Sequence, residues 1–119
     1  MRRRALIAAL GLACVLDGAR AHAFLDHAEP RVGAVVSVAP TQVALWFTED
    51  IEPAFSAVKV FDAAGTQVDR ADVHVDATEH SVLRVSLKKL PPGAYTVVWR
   101  VVSVDTHVTQ GDFVFRVSR

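Results

Sequence analysis

The stretch after Pro91-Pro92-Gly93 constrains the fold of this chain more than any other. Tyr95, Val97, Trp99 and Val101 fall on one side of an extended backbone, and Thr96, Val98, Arg100 and Val102 on the other. The same period of two recurs along the chain. Val43, Leu45 and Phe47 alternate with Ala44 and Trp46, and Val58 and Val60 lead into the turn signal Asp62-Ala63-Ala64-Gly65. Val82, Leu83, Val85 and Leu87 form another run ended by Lys88-Lys89, and Phe113, Phe115 and Val117 share one side of the last. Val73 and Val75, interleaved with Asp72, His74 and Asp76, suggest a strand with one exposed face. Phe24 and Leu25 open the first strand, closed by the turn around Pro30 and Gly33. No stretch keeps a helical period. About seven short strands at intervals near 8–12 residues predict an all-β, immunoglobulin-like Greek-key β-sandwich, with an open barrel as the alternative.

The first residues do not belong to that pattern. Arg2, Arg3 and Arg4 precede the apolar run Ala5 to Leu16, which is short for a membrane span, and Ala19-Arg20-Ala21 fits a small-x-small cleavage site. Residues 1–21 are therefore expected to be a cleaved signal peptide, and 22–119 a single exported domain. The arginine run leaves a twin-arginine export route open. Cys14, the one cysteine, lies within the apolar run, so the domain cannot form a disulfide. Gly11-Leu12-Ala13 before it lacks the aliphatic residue expected three positions upstream of a lipidation cysteine. A signal peptide without disulfides suits a bacterial periplasm.

Charge narrows the partners. Removing Arg2, Arg3, Arg4, Arg20 and Asp17 leaves a net charge of about −3, with no clustered basic face for nucleic acid. No second apolar stretch is long enough to span a membrane, so the processed domain is expected to be soluble. Met1 is the only methionine. The processed domain therefore has neither thioether nor thiol, the soft ligands that Cu(I) favours.

Two places bring metal-ligating groups together. Cleavage after Ala21 makes His22 the first residue, so that its α-amine and imidazole Nδ1 can chelate one ion. A free α-amine titrates near pH 8 and yields its proton to a metal more readily than a lysine does. Asp105-Thr106-His107 is the second place: residues at i and i+2 of an extended segment point the same way, at a loop or strand end at one pole. An isolated Asp-x-His is commonly just a solvated pair, and its weight comes from His22. Amine, two imidazoles and one carboxylate complete a four-ligand set for tetragonal Cu(II).

With these residues in view, the chain resembles the CopC-type periplasmic copper-binding proteins over essentially the whole domain. The likeness runs from His22-Ala23-Phe24-Leu25 and Glu29-Pro30 through Val43-Ala44-Leu45-Trp46-Phe47-Thr48-Glu49 and Leu90-Pro91-Pro92-Gly93-Ala94-Tyr95. It is most specific from Trp99-Arg100 to Asp105-Thr106-His107, followed by Gly111 and Phe115. The resemblance implies a Greek-key sandwich that binds Cu(II) through His22, Asp105 and His107, in copper resistance or copper supply. It also implies a membrane partner of the CopD type. Some members carry a methionine-rich Cu(I) site; with no methionine after Met1, this chain is expected to bind Cu(II) alone.

Other residues have plainer readings. Glu49, at the end of its strand, is a candidate to hydrogen-bond the amine or an imidazole, or else a solvated carboxylate. His27, beside Asp26, is expected to be exposed, and His74 and His80 to lie on a polar edge among Asp72, Asp76 and Glu79. Trp46 and Trp99 are expected in the core. Arg100 either pairs with an acidic group or faces solvent. Two other functions compete with a copper carrier or buffer. One is a copper monooxygenase using the same histidine brace, although such enzymes are larger and need an open site for oxygen. The other is a metal-free adhesion or scaffold domain.

Overall fold

In the computed structural model, which describes residues 23–119, these alternating segments become eight strands. They are β1 (Leu25–Glu29), β2 (Val35–Val36), β3 (Gln42–Phe47), β4 (Ala57–Asp62), β5 (His74–Val75), β6 (Val82–Ser86), β7 (Gly93–Val102) and β8 (Val108–Val117). The expected signal peptide at 1–21 and His22 lie outside the described residues. Two four-stranded sheets form, ordered β1-β3-β6-β5 and β2-β8-β7-β4, which makes a sandwich and sets the barrel aside. All pairings are antiparallel except β2 with β8. The one strand absent from the sequence reading is β2, whose two residues are too few to show a period.

The inward row of each strand builds one core. Val43, Leu45 and Phe47 of β3 and Leu83 and Val85 of β6 meet Val58 and Val60 of β4 and Tyr95, Val97, Trp99 and Val101 of β7. Phe113, Phe115 and Val117 of β8 complete it. Burying each such side chain contributes about 1.5–3 kcal/mol, and with no disulfide in the domain this packing holds the sheets together. Tyr95 anchors the start of β7: its ring stacks on Phe115, 5.5 Å between centroids, and its hydroxyl donates to the Pro91 carbonyl. Burial raises the pKa of that hydroxyl. This is the tyrosine corner common in immunoglobulin-like sandwiches.

Trp46 departs from expectation. Trp99 is in the core, edge-on to Phe47 at 5.3 Å and 70°, but Trp46 lies half-buried on the opposite face of its sheet. There it stacks on His27 at 4.4 Å and 15°, with the Arg84 guanidinium 5.8 Å from its centroid. The reason is parity: Val43, Leu45 and Phe47 point inward, so Trp46 must point out. The Trp46, Arg84 and His27 side chains lie over that face, where Ala44 and Val82 are buried.

Polar groups finish the edges. Asp62 Oδ1 accepts from the Ala64 and Thr66 amides at 3.0 and 2.9 Å, closing the expected turn with Gly65 at φ 82°. Buried Asp69 accepts from the Val60 amide at 2.8 Å and the Ala71 amide at 3.0 Å, occupying a donor on the outer side of β4.

Gly111 faces Trp99 across the β7–β8 ladder, and a Cβ there would lie 2.7 Å from the indole Cζ2. Gly111→Ala is expected to destabilise the domain by about 1–3 kcal/mol, as overpacking does in a closed core. Urea denaturation measures this; an unchanged midpoint would mean that the indole can move aside.

Candidate metal centre

At the far end of the β7–β8 hairpin the ladder stops at Val102–Val108, and five residues, Ser103 to His107, make the connection. The Ser103 amide donates to the His107 carbonyl at 2.9 Å and the Thr106 amide to the Ser103 carbonyl at 2.8 Å. Thr106 takes the left-handed conformation, φ 75°. Asp105 and His107 thus converge as expected, though through a tight turn instead of the extended segment that was assumed. Asp105 Oδ1 lies 3.2 Å from His107 Nδ1, and both side chains are about half exposed.

Ser103 underlies the pair. It is 1% exposed, is bridged to Ile51, and its hydroxyl donates to Asp105 Oδ1. That hydrogen bond is the main cause holding the Asp105 carboxyl below the ordinary aspartate pKa, with His107 adding to it against partial desolvation. The chemistry of the Asp105–His107 pair is that of an oxygen and a nitrogen donor. Two ligands at adjacent corners around an ion with bonds of about 2 Å sit roughly 2.8 Å apart, so a small shift would let both reach one ion.

The start of the described chain is tied to the same pole. Ala23 is 1% exposed and its carbonyl accepts from Thr109 Oγ1 at 2.6 Å, two residues beyond His107. The Phe24 amide donates to Thr48 Oγ1, and the Thr48 amide to the Phe24 carbonyl, both at 2.9 Å. Glu49 follows, exposed, and the next residue, Asp50, accepts from the Val104 amide at 3.1 Å. Glu49 therefore sits on the short segment between the Phe24 tether and the Asp105–His107 turn. Among the described residues no three His, Cys, Asp or Glu side chains cluster closely enough to hold a metal, so Asp105 and His107 stand as a pair.

The remaining candidates serve structure. His27 is exposed as expected, with Nδ1 2.6 Å from Asp26 Oδ2. His74 Nδ1 lies 2.8 Å from the Asp72 carbonyl oxygen. Asp76 accepts from Arg84 Nε at 2.9 Å and from the Thr78 and Glu79 amides, and these bonds, Arg84 foremost, hold its carboxyl well below the usual range. This is the polar edge that was expected. Arg100 is exposed on the outer face of β7. Ser103 and Thr109 went unnoticed in the sequence, although Ser103, Asp105 and His107 stand at i, i+2 and i+4.

The CopC domain model matches residues 25–118, nearly all of the described chain. The chain belongs to the CopC family. Protein YobA of Escherichia coli K12 is 36% identical to it over 115 residues, which cover 96% of this chain and 93% of YobA. The crystal structure of CopC from Methylosinus trichosporium OB3b matches with a TM-score of 0.76 at 32% identity, covering 82% of this chain and 94% of that one. PcoC, a methionine-rich copper resistance protein from Escherichia coli, matches with a TM-score of 0.72 at 30% identity, covering 82% of this chain and all of PcoC. This CopC-family chain differs from PcoC in the property that describes it, since its one methionine is Met1.

The Ser103–Asp105–His107 arrangement has a measurable signature. In a carbon NMR titration of the metal-free protein, the Asp105 carboxyl is expected to titrate below the ordinary value of about 4. Because its folded pKa is depressed, its stabilising contribution is present above that pH and is lost as pH falls through the folded value. A midpoint at or above the ordinary value would contradict the arrangement.

Proposed function

We propose that this protein is a periplasmic Cu(II) carrier or buffer, acting in copper resistance or copper supply without catalysis. Cleavage after Ala21 would free the α-amine of His22, and the amine and imidazole of His22 would join Asp105 and His107 around one ion. Glu49 would hydrogen-bond a ligand and orient it. The observation that carries this reading is the Ala23–Thr109 bond, which ties the residue following His22 to the strand leaving His107. Membership in the CopC family and the copper-resistance name of PcoC support the choice of metal.

The donor set favours the oxidised ion. Nitrogen and carboxylate ligands in a square suit Cu(II), whereas Cu(I) prefers thiolates and thioethers, which the processed domain lacks. Four filled positions suit holding an ion better than activating oxygen on it. A CopD-type inner-membrane protein is the partner in this reading. Among the described residues no helix is long and apolar enough to cross a membrane.

Electron paramagnetic resonance of the correctly processed protein tests the proposal. One tetragonal nitrogen/oxygen signal is expected to saturate at one equivalent of Cu(II). Adding a single residue before His22 should abolish that signal while the fold persists. Asp105→Ala and His107→Ala should each weaken Cu(II) binding by at least about tenfold without unfolding the sandwich. Weak, heterogeneous signals, or an affinity indifferent to the extension, would overturn the reading.

A further inference from the structure

The turn that carries Asp105 and His107 contains one polar side chain that solvent does not reach. Ser103 is 1% exposed, and its backbone is held by three neighbours: its amide by the His107 carbonyl, its carbonyl by the Thr106 amide, and its main chain by the bridge to Ile51. The adjacent Val104 amide is bound in turn by the Asp50 carbonyl at 3.1 Å. The hydroxyl of Ser103 is therefore placed by the sheet edge and not by solvent. Asp105 is the opposite case, a half-exposed side chain on a turn, with two soft torsions of its own.

We propose that Ser103 is a positioning residue for the metal centre, using its hydroxyl to fix the carboxylate of Asp105 in the orientation that faces His107. The inference rests on the Cu(II) reading above and adds a residue to it. A serine hydroxyl has one proton, and here it goes to Asp105 Oδ1, with the His107 carbonyl farther off at 3.4 Å. With one carboxylate oxygen held, the plane of the group is set before an ion arrives. The ordering that ligation would otherwise impose on the aspartate is already done. The same atoms hold the turn closed, because Ser103 and His107 share a backbone hydrogen bond. Ser103 thus acts on one ligand through its side chain and on the other through its main chain, and only the first action is lost on truncation to alanine.

That separation makes the role testable. Cu(II) affinity of the processed protein, measured by competition with a chelator, is expected to fall on the order of tenfold in Ser103→Ala, as for loss of other groups that orient a metal ligand. The paramagnetic resonance spectrum should change its copper hyperfine splitting, since the carboxylate no longer meets the ion in one orientation. Thermal melting of each variant checks that the fold is kept. In an Asp105→Ala background the further change Ser103→Ala should alter affinity less than about twofold, because its effect passes through the carboxylate. If Asp105→Ala weakens binding but Ser103→Ala leaves affinity and spectrum unchanged, the positioning role is wrong and the metal site stands. An equal loss in both backgrounds also overturns the role, since Ser103 would then act elsewhere. If Asp105→Ala itself has no effect, the Cu(II) reading falls and the role of Ser103 with it.

Discussion

The antiparallel pairing of β7 with β8 supports everything else in this molecule. It runs without a break from Gly93–Val117 to Val102–Val108, and its inward row supplies Tyr95, Val97, Trp99, Val101, Phe113, Phe115 and Val117 to the core. β4 adds to one side of the pair and β2 to the other. The second sheet packs against the buried face so formed. Because side chains alternate strictly along a strand, a shift of one residue in this register would turn the entire inward row to solvent. The close approach of Gly111 to the Trp99 indole fits only the register observed.

The same ladder decides where chemistry can happen. Its far end is a five-residue turn in which Ser103 is buried while Asp105 and His107 stand half exposed. Around that turn two other segments, Ala23–Phe24 and Thr48–Asp50, are drawn in by individually modest bonds: Ala23 to Thr109, Phe24 to Thr48, and Asp50 to Val104. Each contributes about 1 kcal/mol of net stability, which is little beside the core. Their importance is positional, because they gather the beginning, the middle and the end of the domain at one pole.

Most of the sandwich was legible in the chain, and the places where it was not have physical causes. Long alternating runs such as Tyr95–Val101 and Phe113–Val117 declare strand, face and burial together. The two residues of β2 carry no period and are strand only because β8 offers an edge to them. Trp46 was misplaced because its size suggested the core, whereas its position between Leu45 and Phe47 already put it on the other face. The Asp105–His107 pair was readable as Asp-x-His, but not the way it converges. That depends on a left-handed Thr106, a conformation unusual for a β-branched residue, and on a buried hydroxyl two positions before the aspartate. Serine at such a place looks like any turn residue until the sheet shows which way it points.

The bond between Ala23 and Thr109 has a wider meaning when it is viewed along the chain. It joins residues 86 positions apart, so almost the whole domain must be in place before it can form. A chain in which either of the two segments is missing or unfolded cannot make this bond. Closure of this pole therefore depends on nearly the whole domain being in place. The domain carries, in effect, its own certificate of completeness at the pole where Asp105 and His107 meet.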